Sequence, residues 1–303
     1  MRITNQLIQG LSIARLQTNL QALDKAREEV SSGKRISTMS DDPGAASEVV
    51  RASSSLRAVA QYRRNVNTAQ TRSAAEENVL DQLTNTIGRA IELAVGSASS
   101  TASAQTRTIS KAEVDQTLAF AVALGNTKIA DDYLFGGTRG SEQPLRLPAI
   151  TTDPFTNLVD GSNNPVNPSG GVPLEIRDGL TVTPNHNATE IFLNTGALQA
   201  LRDLSTALGN NDVTAINAAL GSLQNASNGV QTLIGTQGAR ANQYIVVSDQ
   251  LAAQESSVTK YRSDLQDIEV EKAMVELAGR QTGYQAAMTA TSRVLGLSLA
   301  NYL

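Results

Sequence analysis

The sequence predicts a mainly α protein: a long antiparallel helical hairpin or coiled-coil bundle with paired N- and C-terminal helices and a small β-containing insert. Three observations predict it. Aromatic residues make up only 3% of the chain and Trp is absent, while the 40% apolar fraction is carried chiefly by Ala, Leu and Val, a mixture that suits long helices in thin bundles. Seven of the eight prolines fall between Pro144 and Pro184, so two proline-free flanks enclose a punctuated middle. Both flanks carry apolar residues at alternating spacings of three and four, the period of a helix that faces another helix.

The first segment, residues 1–42, is an N-terminal assembly helix and linker. Ile13, Leu16, Leu20, Leu23 and Val30 form its stripe, with Arg27 in one seat. Gly33 after Ser31-Ser32 marks the end, because glycine reaches the left-handed conformation that closes a helix, and Lys34 and Arg35 place positive charge at its C-terminus. Ser40-Asp41-Asp42-Pro43 opens the next helix, with Asp42 as cap and Pro43 in the first helical position. Residues 43–135 are the ascending part of a helical rod. Val49, Ala52, Leu56, Val59, Val66, Leu80, Leu83, Ile87 and Ile91 keep helical spacing to Val95, which at 1.5 Å per residue makes a helix of about 80 Å. A helix over 105–130 folds back against it through Ile109, Leu118 and Val122.

Gly136 and Gly137 make the exit into a β-containing insert at residues 136–194. Leu174–Ile176, Leu180–Thr183 and Glu190–Leu193 are its β-like runs, separated by Asp-Gly and Pro-Asn turns. Residues 195–240 return to the rod as short helices, either two or one interrupted, since Gly209-Asn210-Asn211 is a break and further glycines follow. Residues 241–303 form the C-terminal rod and assembly helix. Val247, Leu251, Val258, Tyr261, Leu265, Ile268 and Val275 hold the stripe, and Leu295, Leu299 and Leu303 carry it to the last residue. Each of these seats packs against the chain's own core or against a neighbouring subunit.

Composition also excludes. Lys plus Arg is 25 against 29 Asp plus Glu, so the basic face that nucleic acid requires is missing. Cys is absent, which removes disulfides and thiolate chemistry. No apolar run is long enough to cross a bilayer, and the start lacks the apolar core of a cleavable signal peptide. No cofactor loop, metal cluster or nucleophile with its base stands out, so the expectation is a protein that is not an enzyme and binds no cofactor or metal. Asp41 and Asp42 read as a helix start rather than half a metal site. His186, the single histidine, reads as a solvated loop residue. Arg57, Arg63 and Arg64, followed by Glu76 and Glu77, read as a wet helix face or as contacts between subunits. Lys34 and Arg35 either grip an acidic neighbour or are solvated.

Four motifs in order resemble the flagellin and hook-associated protein family: Met1-Arg2-Ile3-Thr4, then Ser31-Ser32-Gly33-Lys34-Arg35-Ile36 with Ser40-Asp41-Asp42-Pro43, then Asp132-Tyr133-Leu134-Phe135-Gly136-Gly137-Thr138, and the terminal Leu297-Ser298-Leu299-Ala300-Asn301-Tyr302-Leu303. The match covers about the first 140 and last 60 residues. Gly279, Gly283 and Lys272 depart from the strongly helical, apolar pattern expected there. The resemblance, closer to the family's hook–filament junction members than to filament flagellin, implies a structural role at that junction. It further implies a ring of subunits, a neighbouring hook-associated protein on one side and flagellin on the other, and an export chaperone on the C-terminal region. An extracellular location in the bacterial flagellum, reached without a cleaved signal peptide, follows from the same resemblance. The competing expectations are a minor flagellin and a coiled-coil tip or adaptor protein of a type III secretion system.

Overall fold

The computed structural model describes residues 2–145 and 170–300. Six helices dominate: α1 (Arg2–Ser32), α2 (Pro43–Ala98), α3 (Ala104–Gly125), α4 (Ala197–Gly209), α5 (Val213–Gln266) and α6 (Val270–Ala300). Between α3 and α4 lie two antiparallel hairpins, β1 (Lys128–Ile129) with β2 (Asp132–Tyr133) and β3 (Leu174–Arg177) with β4 (Leu180–Val182). No helix among the described residues is long and apolar enough to cross a membrane.

The chain forms two compact units, one comprising residues up to Ala58 and from Ala253 onward, the other Val59–Ala252. These divisions fall inside α2 and inside α5.

Local signals account for most helix ends. Gly33 adopts φ +69° and its N–H bonds back to the Glu29 carbonyl at 2.9 Å, the left-handed closure that a side chain resists. Asp42 caps α2, its Oδ1 accepting from the Ala45 N–H at 3.0 Å. Ser103 caps α3 by accepting from the Thr106 N–H at 3.1 Å. At the exit, Gly137 has φ +59°. Gly136 meets the Arg139 carbonyl so closely that a Cβ would stand 2.7 Å from it.

The second unit is built on a four-helix core. Leu80, Leu83 and Ile87 of α2, Val114 and Ala121 of α3, Leu201 and Leu204 of α4, and Ile216 and Leu223 of α5 are buried together. Phe135 and Phe192 meet edge to face with centroids 5.8 Å apart in the same core. A second cluster joins Val59, Val66 and Ala69 to Tyr244, Val247, Leu251 and Ile176 of the β3–β4 hairpin.

Four expectations are corrected. Helix α3 ends at Gly125 rather than near 130, because the Asn126 amide brackets Leu145, donating to its carbonyl at 2.7 Å and accepting from its N–H at 2.9 Å. Ile109 faces solvent while Leu118 is half-buried and Val122 is buried, so α3 turns a different edge to the core than its spacing suggests. Glu190–Leu193 is part of a π-helical turn, Thr189–Leu193, which buries Ile191 and Phe192, not a strand. The returning segment at 195–240 is α4 followed by the first half of one unbroken 54-residue helix. Its break at Gly209–Asn211 is real, with Asn211 at φ +54°. Gly221 and Gly235 leave open space where a side chain would stand, and Gly229 only touches Thr195, so none of the three interrupts α5.

Candidate assembly surface

Helices α1 and α6 pack along one another in the first unit. They bury little of their apolar stripe. Leu23, with Ala26 and Ile36, is buried, Leu16 and Val30 are half-buried, and Ile13 and Leu20 are exposed. On the C-terminal side Val258, Leu265 and Ile268 are half-buried, Tyr261 is exposed beside Glu48, and Val275 is 74% exposed. Val247 and Leu251 belong to the core of the second unit. The side chains of Leu295 and Leu299, and Leu303 altogether, lie outside the described residues.

Sequence spacing named Val275 but missed four other exposed apolar positions on these helices. Leu7 and Leu11 stand one turn apart on α1, and Val270 and Met274 one turn apart on α6; Leu11 is 52% and Met274 57% exposed. They fall outside the alternating three-and-four spacing of the stripe. Apolar side chains repeated along two adjacent helices are the mark of a surface that another protein covers. The charged seats do not interrupt it internally: Arg27 pairs outward with Asp24 and Lys272 with Glu269, each three residues away.

A backbone joint anchors this helix pair. No proline or glycine marks a break after Gln266, yet α5 stops there and α6 starts at Val270. The cause is pairing with the α1–α2 linker. Lys34 and Asp267 form an antiparallel bridge, the Arg35 N–H donates to the Gln266 carbonyl at 2.7 Å, and the Ile268 N–H donates to the Gly33 carbonyl at 3.0 Å. Arg35 adds a guanidinium bond to the Leu265 carbonyl at 2.9 Å and an ion pair with Asp42 at 3.7 Å.

Asp41, whose sequence neighbours suggested only a helix start, organises the linker. Its carboxylate accepts from the Thr38 and Ser37 N–H groups at 2.9 and 3.1 Å and from Lys25 Nζ at 3.0 Å. The Thr38 backbone bond, then Lys25, then the Ser37 backbone bond hold its carboxyl well below the usual carboxylate range. A depressed folded-state value stabilises the fold above the ordinary aspartate value near 3.8 and ceases to as pH falls through the folded value. Asp41→Asn is therefore expected to lower the thermal midpoint at pH 6, with the gap to the parent chain closing toward pH 2. A gap that does not change with pH would contradict this role.

Beside the joint, Glu29, Asp264, Glu269 and Glu276 line a groove of about 530 Å³ together with Arg35 and Lys272. Glu269 pairs with Lys272 and Glu276 with Arg280, and no His, Cys, Asp and Glu group that could hold a metal ion occurs among the described residues.

In the second unit, His186 overturns the expectation of a solvated loop residue. It is 8% exposed, and its Nδ1 lies 2.5 Å from Oε1 of Glu76, which has 0% exposure. Glu76 is thus an interior residue rather than part of a wet face, and its Oε2 accepts the His186 N–H at 3.2 Å. The strap 184–188 is pinned further by Asn185, which donates to the Leu134 carbonyl at 2.6 Å, and by the Ala188 N–H bonded to the Phe135 carbonyl at 3.0 Å. Arg57, Arg64 and Glu77 are exposed, and Arg64 bonds to Gln61.

Residues 3–139 match the bacterial flagellin N-terminal helical region. Over 314 aligned residues the chain is 25% identical to flagellar hook-associated protein 3 of Escherichia coli (strain K12), covering 99% of this chain and 98% of that protein. Among solved structures, a flagellar hook-associated protein from Vibrio parahaemolyticus superposes with a TM-score of 0.63 at 19% identity, covering 75% of this chain and all of that one. The flagellar junction protein FlgL from Legionella pneumophila gives 0.56 at 13% identity, over 72% of this chain and 99% of that one. These structures share the helical fold.

Proposed function

We infer that this chain belongs with the hook-associated protein 3 group of the flagellin-like proteins and is a structural subunit of the bacterial flagellum that joins hook to filament. The observation that carries the inference is the end-to-end match to a hook-associated protein 3, where a flagellin N-terminal region alone would suit filament subunits equally well. A minor flagellin and a secretion-system tip protein are both less well supported, since neither accounts for that full-length correspondence.

The mechanism is assembly, without catalysis. Ile13, Leu20, Tyr261 and Val275, joined by Leu7, Leu11, Val270 and Met274, present the apolar surface that neighbours cover, and Leu295, Leu299 and Leu303 extend the same sequence stripe toward the C-terminus. Each such side chain gains about 1.5–3 kcal/mol on full burial, so a few suffice to order subunits into a ring. The ring meets a second hook-associated protein on the hook side and flagellin on the filament side. Before assembly an export chaperone covers the C-terminal region, and the chain takes its place in the extracellular flagellum. No membrane, nucleic acid or cofactor takes part.

Electron microscopy of cells lacking the protein tests this. Bare hooks with flagellin released into the medium are the expected result. Intact filaments would overturn the junction assignment in favour of a minor flagellin or of a role outside the flagellum.

A further inference from the structure

One face of α5 carries three buried polar atoms that no other protein atom satisfies: Gln237 Oε1, Arg240 Nη1 and Tyr244 Oη. Their spacing of three and then four residues puts them on one side of the helix. Opposite stand Ser73 and Glu76 of α2 and the strap through Pro184 and His186. Gln237 Nε2 donates to Ser73 Oγ at 2.9 Å and to the Pro184 carbonyl at 3.2 Å. A carbonyl only accepts, so the amide orientation is fixed and Oε1 must find a donor elsewhere.

Glu76 does not resolve the shortage. Its oxygens accept from the backbone N–H and meet the ring of His186, and neither Arg240 Nη1 nor Tyr244 Oη has it within hydrogen-bond distance. Glu76 and Arg240 both bear electrostatically on the Tyr244 hydroxyl, and burial raises that group's pKa so that it keeps its proton as a donor. Gln237 and Tyr244 are 2% and 0% exposed, so the unmet groups are cut off from bulk solvent. An unmet buried polar group is destabilising, and three on one face would be an unusual concentration for a native core.

We propose that Gln237, Arg240 and Tyr244 form a binding site for a single internal water molecule, taken up on folding and shared between α5 and the polar seam of α2. The count of donors and acceptors selects the ligand. Arg240 Nη1 and Tyr244 Oη each offer a proton and Gln237 Oε1 requires one. One molecule that accepts twice and donates once satisfies all three, and buried waters make about three such bonds. An anion would face Oε1 and the Glu76 carboxylate, and a cation would face Arg240. With Glu76 and Arg240 already opposed in charge, the site favours a neutral guest.

A crystal structure of the full chain, at a resolution that shows ordered solvent, is expected to place one water within hydrogen-bond distance of all three atoms. A direct Arg240–Glu76 ion pair with no solvent between the three groups would overturn the proposal, as would a bound ion. A second measurement needs no crystal. If Gln237→Met and Tyr244→Phe each remove a partner of the same water, the loss in thermal midpoint of the double variant should be clearly smaller than the sum of the single losses. Strict additivity would mean that the two residues share nothing, and the site would be withdrawn.

Discussion

Replacing Met274 and Val275 together by glutamate is expected to abolish incorporation of the chain into flagella while leaving its unfolding midpoint nearly unchanged. Both side chains are largely exposed, at 57% and 74%, and both stand on a helix where glutamate is at least as good a helix former as methionine or valine. Surface changes of this kind shift stability by about 0.5 kcal/mol or less. In the proposed ring the same positions would lose about 1.5–3 kcal/mol of burial each, a weakening of about a hundredfold or more for every subunit contact, before the cost of desolvating two carboxylates is added. Circular dichroism melting of the purified variant, beside electron microscopy of cells that carry it, separates the two effects. Lys272→Ala is the control, since its ammonium meets only Glu269 one turn away. Normal filaments on cells carrying the double variant would remove these residues from the assembly surface; a collapsed melting curve would show that they serve the fold instead.

The second large effect is expected at the buried pair in the other unit. His186→Ala leaves the Glu76 carboxyl, with no exposure, without its ring partner. Leaving a buried hydrogen-bonding group without its partner costs about 1–3 kcal/mol, a substantial share of the stability of an ordinary domain. The strap should loosen with it. The Ala188 N–H, bonded to the Phe135 carbonyl at 3.0 Å, is then expected to exchange with solvent much faster than in the parent chain, while amides in the middle of α4 are slowed or hastened only by the global change. Denaturant titration followed by amide hydrogen exchange gives both readings. A loss below about 1 kcal/mol, the size of an ordinary solvated hydrogen bond, would return His186 to the status of a surface residue.

Reading from residues to structure succeeded where the partners of a group lie within a turn of it. Asp42 caps three residues ahead, Gly33 closes onto Glu29 four residues behind, and the Asp178-Gly179 turn, with Gly179 at φ +70°, joins β3 to β4. Such signals need only the backbone's own geometry. The apolar stripes were equally plain in the sequence, but their spacing tells which residues share a face, not what covers that face. Val247 and Leu251 therefore share a stripe with Val275, yet they are buried in the second unit's core whereas Val275 is exposed.

The interior polar groups escaped notice for the opposite reason. His186 reaches Glu76 across 110 positions, Gln237 reaches Ser73 across 164, and Arg107 donates through Nη1 to Asn211 across 104 while its other nitrogens hold the carbonyls of Ser97 and Ser99. Read locally, each is a polar residue among polar neighbours. The stop between α5 and α6 is of the same kind. Asp267-Ile268-Glu269 holds no proline or glycine, and the helix ends there because the backbone of residues 33–36 claims the bonds that would have continued it.

The residues alone determined the helical class, the caps and the proline-marked middle, since periodicity, capping and turn chemistry are properties of neighbouring residues. Only the tertiary structure decided which apolar seats are core and which remain exposed on α1 and α6, and which polar residues are buried, because burial and hydrogen-bond satisfaction depend on groups that only the folded chain brings together.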